Sequence, residues 1–199
     1  MIRLILVRHA ECEANAREII TGHSDYKLTC KGDEQAKKVG LRLKDEKVDI
    51  AFVSDAKRAT DTAKEILKHH KNVNVVYDSR LRERNYGIFE GTVSGSVSKA
   101  AEKAGVSFNE FKPDKGESIK ELNLRVIDFF EEMIKKEDGK TVLVISHGGP
   151  ILEIFFHLLN VPRDKYREYH PGNTAVTILE IDVDKKHKVH ALNCTNHLN

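Results

Sequence analysis

The chain has 199 residues, 40% of them hydrophobic, which predicts one domain over residues 1–199 with a substantial core. Its 33 basic and 31 acidic residues leave a formal net charge of +2, so neither nucleic acid nor a membrane is an expected partner. An anionic ligand would need a local site. The odd number of cysteines and the absence of a predicted signal peptide favour a reduced, cytoplasmic protein; they are Cys12, Cys30 and Cys194.

The first predicted strand ends at a pair of reactive side chains. Residues 2–7 form an apolar run long enough for one buried strand and too short to span a membrane, and Arg8 and His9 follow directly. Open α/β sheets bind ligands at the carboxyl ends of their parallel strands. A guanidinium group matches phosphate oxygens, and an imidazole acts as a nucleophile or a base near neutral pH. The pair therefore suggests phosphate chemistry, with a solvated turn as the alternative.

Strands and helices are predicted to alternate through the first half of the chain. Residues 11–25 are polar and read as a loop with one helical turn, after which Thr29 is a predicted N-cap. The elements that follow are a helix burying Ala36, Val39 and Leu43, a strand over 49–54, a helix over 57–70 capped by Ser54 or Asp55, and a strand over 73–77.

The second half contains a long irregular stretch between regular elements. Residues 86–116 are rich in glycine, with one short helical patch near 99–104, and are predicted to form a lid over the sheet. An amphipathic helix from Ile119, a strand over 141–146, a helix and a closing hairpin that turns near Asp184 and Lys185 follow. This order predicts an α/β fold: a three-layer α/β/α sandwich with a mostly parallel sheet and an antiparallel strand.

A second reactive cluster follows the strand over 141–146. His147 and the pair Gly148-Gly149 come directly after it, and a helix begins there. This geometry brings His147 to the same sheet edge as His9 and directs the first backbone N–H groups of the helix at the space between them. Gly148 is therefore a candidate contact for a bound anion. The alternative is a turn in which the histidine only caps the chain and the glycines supply positive φ.

Two more charged residues follow predicted strands. Arg58 lies after the strand over 49–54, and Glu83 lies after the strand over 73–77. Two arginines can neutralise a phosphoryl group, one histidine can attack phosphorus, and a carboxyl group can protonate the leaving oxygen and then activate water. Such a cycle needs no metal or other cofactor. Considered alone, Arg58 would be interpreted as an arginine on a helix surface. Glu83, between Arg82 and Arg84, would be interpreted as one member of a surface ion-pair cluster.

Five ordered motifs resemble those of the histidine phosphatase superfamily, which includes the cofactor-dependent phosphoglycerate mutases. They are LVRHAE with Asn15, SDAKRATDTA, LRERNYGIFEG, GES and VISHGG, and they cover nearly the whole chain. The resemblance implies a phosphoglycerate mutase-like fold, His9 as the phosphorylated histidine and Glu83 as the proton donor. It also implies a phosphate pocket completed by Arg8, Arg58 and His147, with Asn15, Thr21 and Gly22 as additional contacts. Ala10 stands where the family usually has glycine.

Within the superfamily, YDSRLRERNYGIFEG and LNCTNHLN are most similar to the fructose-2,6-bisphosphatase-like members, although the large insertion of those proteins is missing here. The expected function is therefore hydrolysis of small phosphomonoesters, with sugar phosphates such as fructose bisphosphates among them. Arg84 and Tyr86, next to Glu83, are the predicted neighbours of the part of the substrate that does not react.

Three alternatives remain at this point. A phosphoglycerate mutase-type transferase is disfavoured, because residues 86–116 carry four lysines and four acidic residues and so lack the net positive charge expected of a mutase lid. A zinc site at the carboxyl end, or a catalytically inactive interaction module on the same fold, is also conceivable. The zinc site would use His187, His190, Cys194 and His197.

Overall fold

The sheet has six strands, all but one of which point the same way. A computed structural model describes residues 1–182 and 184–199 of the chain. The strands lie in the order β3-β2-β4-β1-β5-β6, and β5 runs antiparallel to both of its neighbours while the other pairs are parallel. The strands are β1 Ile2–Arg8, β2 Ile50–Val53, β3 Asn74–Tyr77, β4 Thr141–Ser146, β5 Val176–Ile181 and β6 His187–Cys194. This is the predicted mixed sheet.

Helices cover both faces of the sheet, which confirms the three-layer prediction. Because successive side chains of a strand point to opposite faces, Leu4 and Leu6 of β1 pack on one side while Ile5 and Val7 pack on the other. The α5 and α6 helices cover the first side, and α2 and α3 cover the second. The helices are α1 Glu13–Ala16, α2 Cys30–Leu43, α3 Lys57–Leu67, α4 Ser96–Lys103, α5 Ile119–Lys136, α6 Gly148–Leu158 and α7 Tyr166–Tyr169.

The sequence predicted two helix starts with different success. Thr29 is the N-cap of α2, and its side chain accepts a hydrogen bond from the backbone N–H of Gly32, as predicted. The prediction that Ser54 or Asp55 caps α3 was wrong, because the N-cap is Ala56 and no side chain caps the helix. The hydroxyl of Ser54 instead contacts His147, 2.7 Å away. Ser54 therefore contacts His147, although it was expected to cap the helix.

Residues 86–116, which we call the excursion, leave the sheet and return to it. They contain α4 and a short 3-10 helix at Gly87–Phe89, and the rest is loop and turn. Backbone hydrogen bonds tie the excursion to the loop after α1: Ile20 donates to Thr92, and Gly91 donates back to Ile20. The two irregular segments therefore form one layer above the carboxyl edge of the sheet.

The end of the chain also follows the predicted order. Strands β5 and β6 pair as an antiparallel hairpin whose turn lies at residues 182–186, of which residue 183 lies outside the described residues. All three cysteines are free thiols. Among the described residues no helix is long and apolar enough to cross a membrane.

Candidate active site

The carboxyl ends of four parallel strands bring the predicted site residues to one edge of the sheet. Arg8 ends β1, and His9 follows it; His147 follows β4. Arg58 lies in the first turn of α3, just after β2, and Glu83 follows β3. These strands are mutually parallel and adjacent, so their ends open on the same side. The sequence prediction that strand ends gather these side chains therefore agrees with the topology.

His9 is held with one ring nitrogen free to react. His9 is only 2% exposed, and its Nδ1 lies 2.7 Å from the carbonyl oxygen of Ala10. Since a carbonyl can only accept, Nδ1 carries the proton, and Nε2 keeps its lone pair. Burial lowers the pKa of His9 well below its usual value, and the positive charges of Arg58 and Arg8 lower it further. The imidazole is therefore neutral and nucleophilic at physiological pH.

Ala10 fits its position without backbone strain. Its φ is not positive, so the backbone does not require glycine at this point. Its N–H donates to the hydroxyl of Thr62 on α3, and its carbonyl accepts from His9. The departure from the family's usual glycine therefore leaves the orientation of His9 intact.

Arg58 is anchored at three points and still has donors to spare. Its Nε donates to Nδ1 of His147 at 3.2 Å, while its terminal nitrogens donate to the carbonyl oxygens of Ser24 and Gly22. The residue is fully buried. A guanidinium has five N–H groups, so two remain for a ligand. The charge is fixed in place before any anion arrives, which reduces the reorganisation that binding requires.

His147 packs against His9 and is itself held by two partners. The two imidazole centroids are 5.0 Å apart. Nδ1 accepts from Arg58, so Nε2 carries the proton and donates to the hydroxyl of Ser54 at 2.7 Å. Burial lowers the pKa of His147 well below its usual value, and Arg58 and His9 add to this. Both ring nitrogens of His147 are therefore occupied, one by Arg58 and the other by Ser54.

Arg8 supplies the second guanidinium. One terminal nitrogen donates to the carbonyl oxygen of Pro171 at 2.7 Å, which fixes the side chain from the loop before β5. Its Nε is buried and has no hydrogen-bond partner in the described residues. A buried, unsatisfied donor is costly unless a ligand accepts from it. Arg8 therefore carries spare donors in a closed environment.

The loop over residues 21–24 is held by a carboxylate that sequence reasoning missed. Glu90 accepts hydrogen bonds from the backbone N–H groups of His23, Ser24 and Tyr86. Gly22 has φ +54°, and a Cβ there would lie 2.0 Å from Glu90 Oε1. Because Gly22 and Ser24 supply the carbonyl oxygens that hold Arg58, Glu90 links the start of the excursion to that arginine. The glycine and the acid in the loop motifs are the sequence signals for this contact.

Asn15 and Thr21 occupy the same layer. The side-chain carbonyl of Asn15 accepts from the backbone of Cys12 and from the amide of Asn173, which leaves its own Nδ2 group as a donor. Thr21 lines a cavity of about 280 Å³ together with Glu83 and Tyr86. Of these predicted contacts, Thr21 faces a cavity, whereas Asn15 is placed by hydrogen bonds within the loop.

Glu83 is fixed by both its carboxylate and its backbone. Its Oε1 accepts from the N–H of Arg84, and its Oε2 accepts from the N–H of Gly149 at 3.1 Å. A Cβ on Gly149 would lie 2.2 Å from Oε1, so the carboxylate would have to shift if a side chain were present. Arg125 donates to the carbonyl oxygen of Glu83 and pairs with Glu117, so the GES motif positions Glu83 from α5.

Arg84 and Tyr86 line a larger cavity that begins at Glu83. Two nitrogens of Arg84 donate to the carbonyl oxygens of Glu117 and Phe111, and its third is buried without a partner in the described residues. The guanidinium lies 5.2 Å from the ring centroid of Tyr86 and 5.0 Å from that of Phe108. We call this space of about 530 Å³ the apolar cavity; its walls include Tyr86, Phe108, Ile119, Leu122, Leu152 and Phe156.

His170 is a third site histidine that the sequence analysis did not select. It lines both cavities, and its Nε2 would lie 2.5 Å from a Cβ on Gly148. Burial lowers its pKa, Arg8 lowers it further, and Glu83 opposes the change. The side chains of Glu83 and His170 thus occupy the spaces left by consecutive glycines. Nothing in the sequence around His170 marks it, because it follows no strand end and no recognised motif.

The described part of the carboxyl end does not gather its histidines into a metal-binding cluster. Among the described residues there is no group of three or more histidine, cysteine, aspartate or glutamate side chains that could hold a metal ion. His190 pairs with Glu180, and His197 contacts the hydroxyl of Thr174. The zinc-binding alternative therefore has no support in the geometry.

The fold and the sheet edge together define a phosphoglycerate mutase-like α/β protein with a buried pair of histidines. The chain belongs to the histidine phosphatase superfamily (branch 1), whose family model matches residues 4–195. The resemblance seen in the five motifs is thereby confirmed.

Several relatives fit this assignment. The broad-specificity phosphatase YOR283W of Saccharomyces cerevisiae is 34% identical, over 94% of this chain and 82% of its own length. The fructose-2,6-bisphosphatase TIGAR of Bos taurus is 40% identical, over 69% of this chain and 53% of its own length. The structure of Bacillus stearothermophilus YhfR superposes with a TM-score of 0.88 at 25% identity, over all of both chains.

Proposed function

We propose that the chain is a phosphatase that hydrolyses small phosphomonoesters through a phosphohistidine on His9. The observation that carries the proposal is the hydrogen bond from His9 Nδ1 to the carbonyl of Ala10, which leaves Nε2 as a neutral nucleophile. The nucleophile lies close to the spare donors of Arg8 and Arg58, which match the phosphoryl oxygens. Sugar phosphates, including fructose bisphosphates, are the candidate substrates that the sequence resemblance suggests.

In the first step, Nε2 of His9 attacks phosphorus and the bond to the ester oxygen breaks. The electron pair goes to the ester oxygen, which takes a proton from the carboxyl group of Glu83, and the alcohol leaves. The guanidinium groups of Arg8 and Arg58 balance the charge on the remaining phosphoryl oxygens. His147 acts through its contact with Arg58.

In the second step, the carboxylate of Glu83 takes a proton from water, and the water oxygen attacks phosphorus. The phosphorus–nitrogen bond breaks, its electron pair returns to Nε2, and inorganic phosphate is released with Glu83 protonated again. Hydrogen bonds from the backbone of Arg84 and Gly149 keep the carboxylate aligned in both steps. Apart from the substrate and water, every group that takes part in the two steps is a side chain or backbone group of this protein.

The test is to trap the covalent intermediate. Glu83→Gln retains the nucleophile but cannot activate water, so a substrate with a good leaving group, p-nitrophenyl phosphate, should phosphorylate the variant and leave it modified. We expect acid-labile, alkali-stable phosphate on the peptide that contains His9. Phosphate on another residue would refute the mechanism. Transfer between positions of phosphoglycerate, faster than release of phosphate, would instead establish the mutase alternative.

A further inference from the structure

The apolar cavity lies where the alcohol part of a substrate must go. It shares Glu83 with the smaller cavity, and Glu83 is the group that protonates the leaving oxygen in the proposed reaction. A phosphoryl group held between Arg8 and Arg58 would therefore direct its ester oxygen, and the alcohol attached to it, toward this cavity. The chemistry of its walls then decides which alcohols fit.

The walls are mainly hydrocarbon. Aromatic rings come from the excursion and from α6, and aliphatic side chains come from α5 and α6. The volume of about 530 Å³ exceeds what a two- or three-carbon alcohol would fill. A strongly hydrated polyol would lose its water here without gaining matching hydrogen bonds, which costs free energy.

Arg163, a cation that lines the apolar cavity, is already neutralised. Arg163 forms two hydrogen bonds with the buried carboxylate of Glu153 and stacks over the ring of Phe156, 4.7 Å from its centroid. Glu153 also accepts from the amide of Asn123. A second phosphate of a bisphosphate carries about two negative charges and needs unpaired cations, and this ion pair offers none.

Arg84 is the exception within the cavity wall. It has a single buried nitrogen without a partner in the described residues, while backbone carbonyls hold the other two. The flanking rings of Tyr86 and Phe108 keep the guanidinium in place. This one nitrogen, with its two N–H groups, suits one polar or singly charged group on an otherwise apolar alcohol.

Resting on the proposed function, we infer that the preferred substrates are monophosphates of aromatic or otherwise apolar alcohols that carry at most one further negative charge. The apolar cavity binds the alcohol, and Arg84 binds its polar group when there is one. Bisphosphates should therefore be poorer substrates than these monophosphates.

The test compares primary alkyl phosphates, so that the reactivity of the leaving group is matched. We expect kcat/KM for 3-phenylpropyl phosphate to exceed that for glycerol 3-phosphate at least tenfold, and to exceed that for fructose 1,6-bisphosphate, whose two phosphates are both on primary carbons, as well. Phe156→Ala should remove most of the advantage of the phenyl group, so that kcat/KM for 3-phenylpropyl phosphate falls several-fold more than that for glycerol 3-phosphate. Tyr77→Ala, at an exposed aromatic residue on the edge strand β3, is the control and should change neither substrate.

A higher kcat/KM for the bisphosphate or for glycerol 3-phosphate would overturn the inference and leave the proposed phosphatase activity standing. If no phosphate ester is hydrolysed, the proposed function fails, and the inference is then decided by binding. Calorimetric titration with the non-hydrolysable phosphonate analogues of 3-phenylpropyl phosphate and glycerol 3-phosphate should show at least tenfold tighter binding of the phenyl compound. Equal affinity, or no effect of Phe156→Ala, would refute it.

Discussion

The phosphoryl pocket, formed by Arg8, His9, Arg58 and His147, meets the apolar cavity at Glu83. The two regions are built in different ways. The pocket stands on strand ends, and its charges are fixed by hydrogen bonds to histidine and to backbone carbonyls. The cavity is walled by the excursion and by side chains of α5 and α6, and its Arg163 is paired with Glu153. A phosphoryl group is the same in every substrate, whereas the alcohol varies. The rigid region is therefore suited to chemistry and the irregular one to selection.

The largest expected loss of activity follows from removing the nucleophile of the phosphoryl pocket. His9→Ala deletes the only atom proposed to form the covalent intermediate, so kcat should fall by on the order of 10⁵-fold or more with every substrate. Steady-state assays with an alkyl and an aryl phosphate measure this. His187→Ala, at an exposed histidine on β6, should retain full activity. Substantial turnover by His9→Ala would place the nucleophile elsewhere.

Glu83, at the junction, should separate substrates by their leaving groups. A general acid contributes about 10²- to 10⁴-fold, and it contributes least when the leaving oxygen needs no proton. In single-turnover assays, Glu83→Gln should therefore slow formation of the phosphoenzyme in that range for an alkyl phosphate, but slow the first release of p-nitrophenol from its phosphate far less. Glu102→Gln, on the exposed face of α4, serves as the matched control. Equal losses on both substrates would argue that Glu83 only shapes the site.

A single methyl group at the start of α6 should displace Glu83 without altering any charge. The Cβ of Gly149→Ala would lie 2.2 Å from Glu83 Oε1, so the carboxylate must shift. We expect roughly a tenfold decrease in kcat, since small errors in position are costly in catalysis. The control is Gly172→Ala, where the nearest atom is 3.9 Å from the added methyl. Unchanged kcat in Gly149→Ala would show that the carboxylate is not held where we propose.

These two regions also differ in how well the sequence predicted them. The ends of β1, β2 and β4 were identifiable because buried parallel strands are continuous apolar runs, and β3, at the edge of the sheet, still has a short apolar run; the residues after these strands carried the reactive groups. The mixed three-layer fold followed from the same alternation. Apolar runs and helical periodicity are local properties of the sequence, and they were sufficient here.

The apolar cavity could not be predicted in this way, because its walls come from segments that are far apart in sequence. Tyr86 was selected only for its position beside Glu83, whereas Phe156 reads as an ordinary core residue of α6. The roles of Ser54 and Glu90 were missed for a similar reason: a serine before a helix is typical of a cap, and an acid within a glycine-rich excursion is typical of a solvated loop. Only the three-dimensional contacts distinguish these readings.

Glu90 should affect the phosphoryl pocket although it does not lie next to His9. Glu90→Gln replaces a carboxylate oxygen that accepts several N–H groups by an amide that cannot accept from all of them. The loop that holds Arg58 should loosen, with about a tenfold fall in kcat/KM and weaker inhibition by vanadate. Glu110→Gln, an exposed acid of the excursion, should change neither quantity. Wild-type vanadate affinity in Glu90→Gln would disconnect this residue from Arg58.

The smallest effect concerns stability and follows from the buried histidine. Burial, Arg58 and Arg8 hold the pKa of folded His9 well below the value of about 6.5 that an unfolded histidine has. Below pH 6.5 the unfolded chain therefore binds a proton that the folded protein does not, and the free energy of unfolding falls as the pH is lowered. His147 contributes with the same sign. Above about pH 7 both states are neutral at this position, and the contribution is constant.

Replacing His9 removes one of the two groups that make the free energy of unfolding depend on pH in this way. Between pH 7.5 and 5.5, the free energy of unfolding of His9→Gln should decrease less steeply than that of the wild type, by up to about 1.4 kcal/mol per pH unit. Urea unfolding at a series of pH values measures the two slopes, and His187→Gln, at an exposed position, should follow the wild type. Identical slopes for His9→Gln and the wild type would mean that folded His9 takes up a proton as readily as the unfolded chain. The neutral nucleophile on which the phosphoryl pocket depends would then be lost at mildly acidic pH.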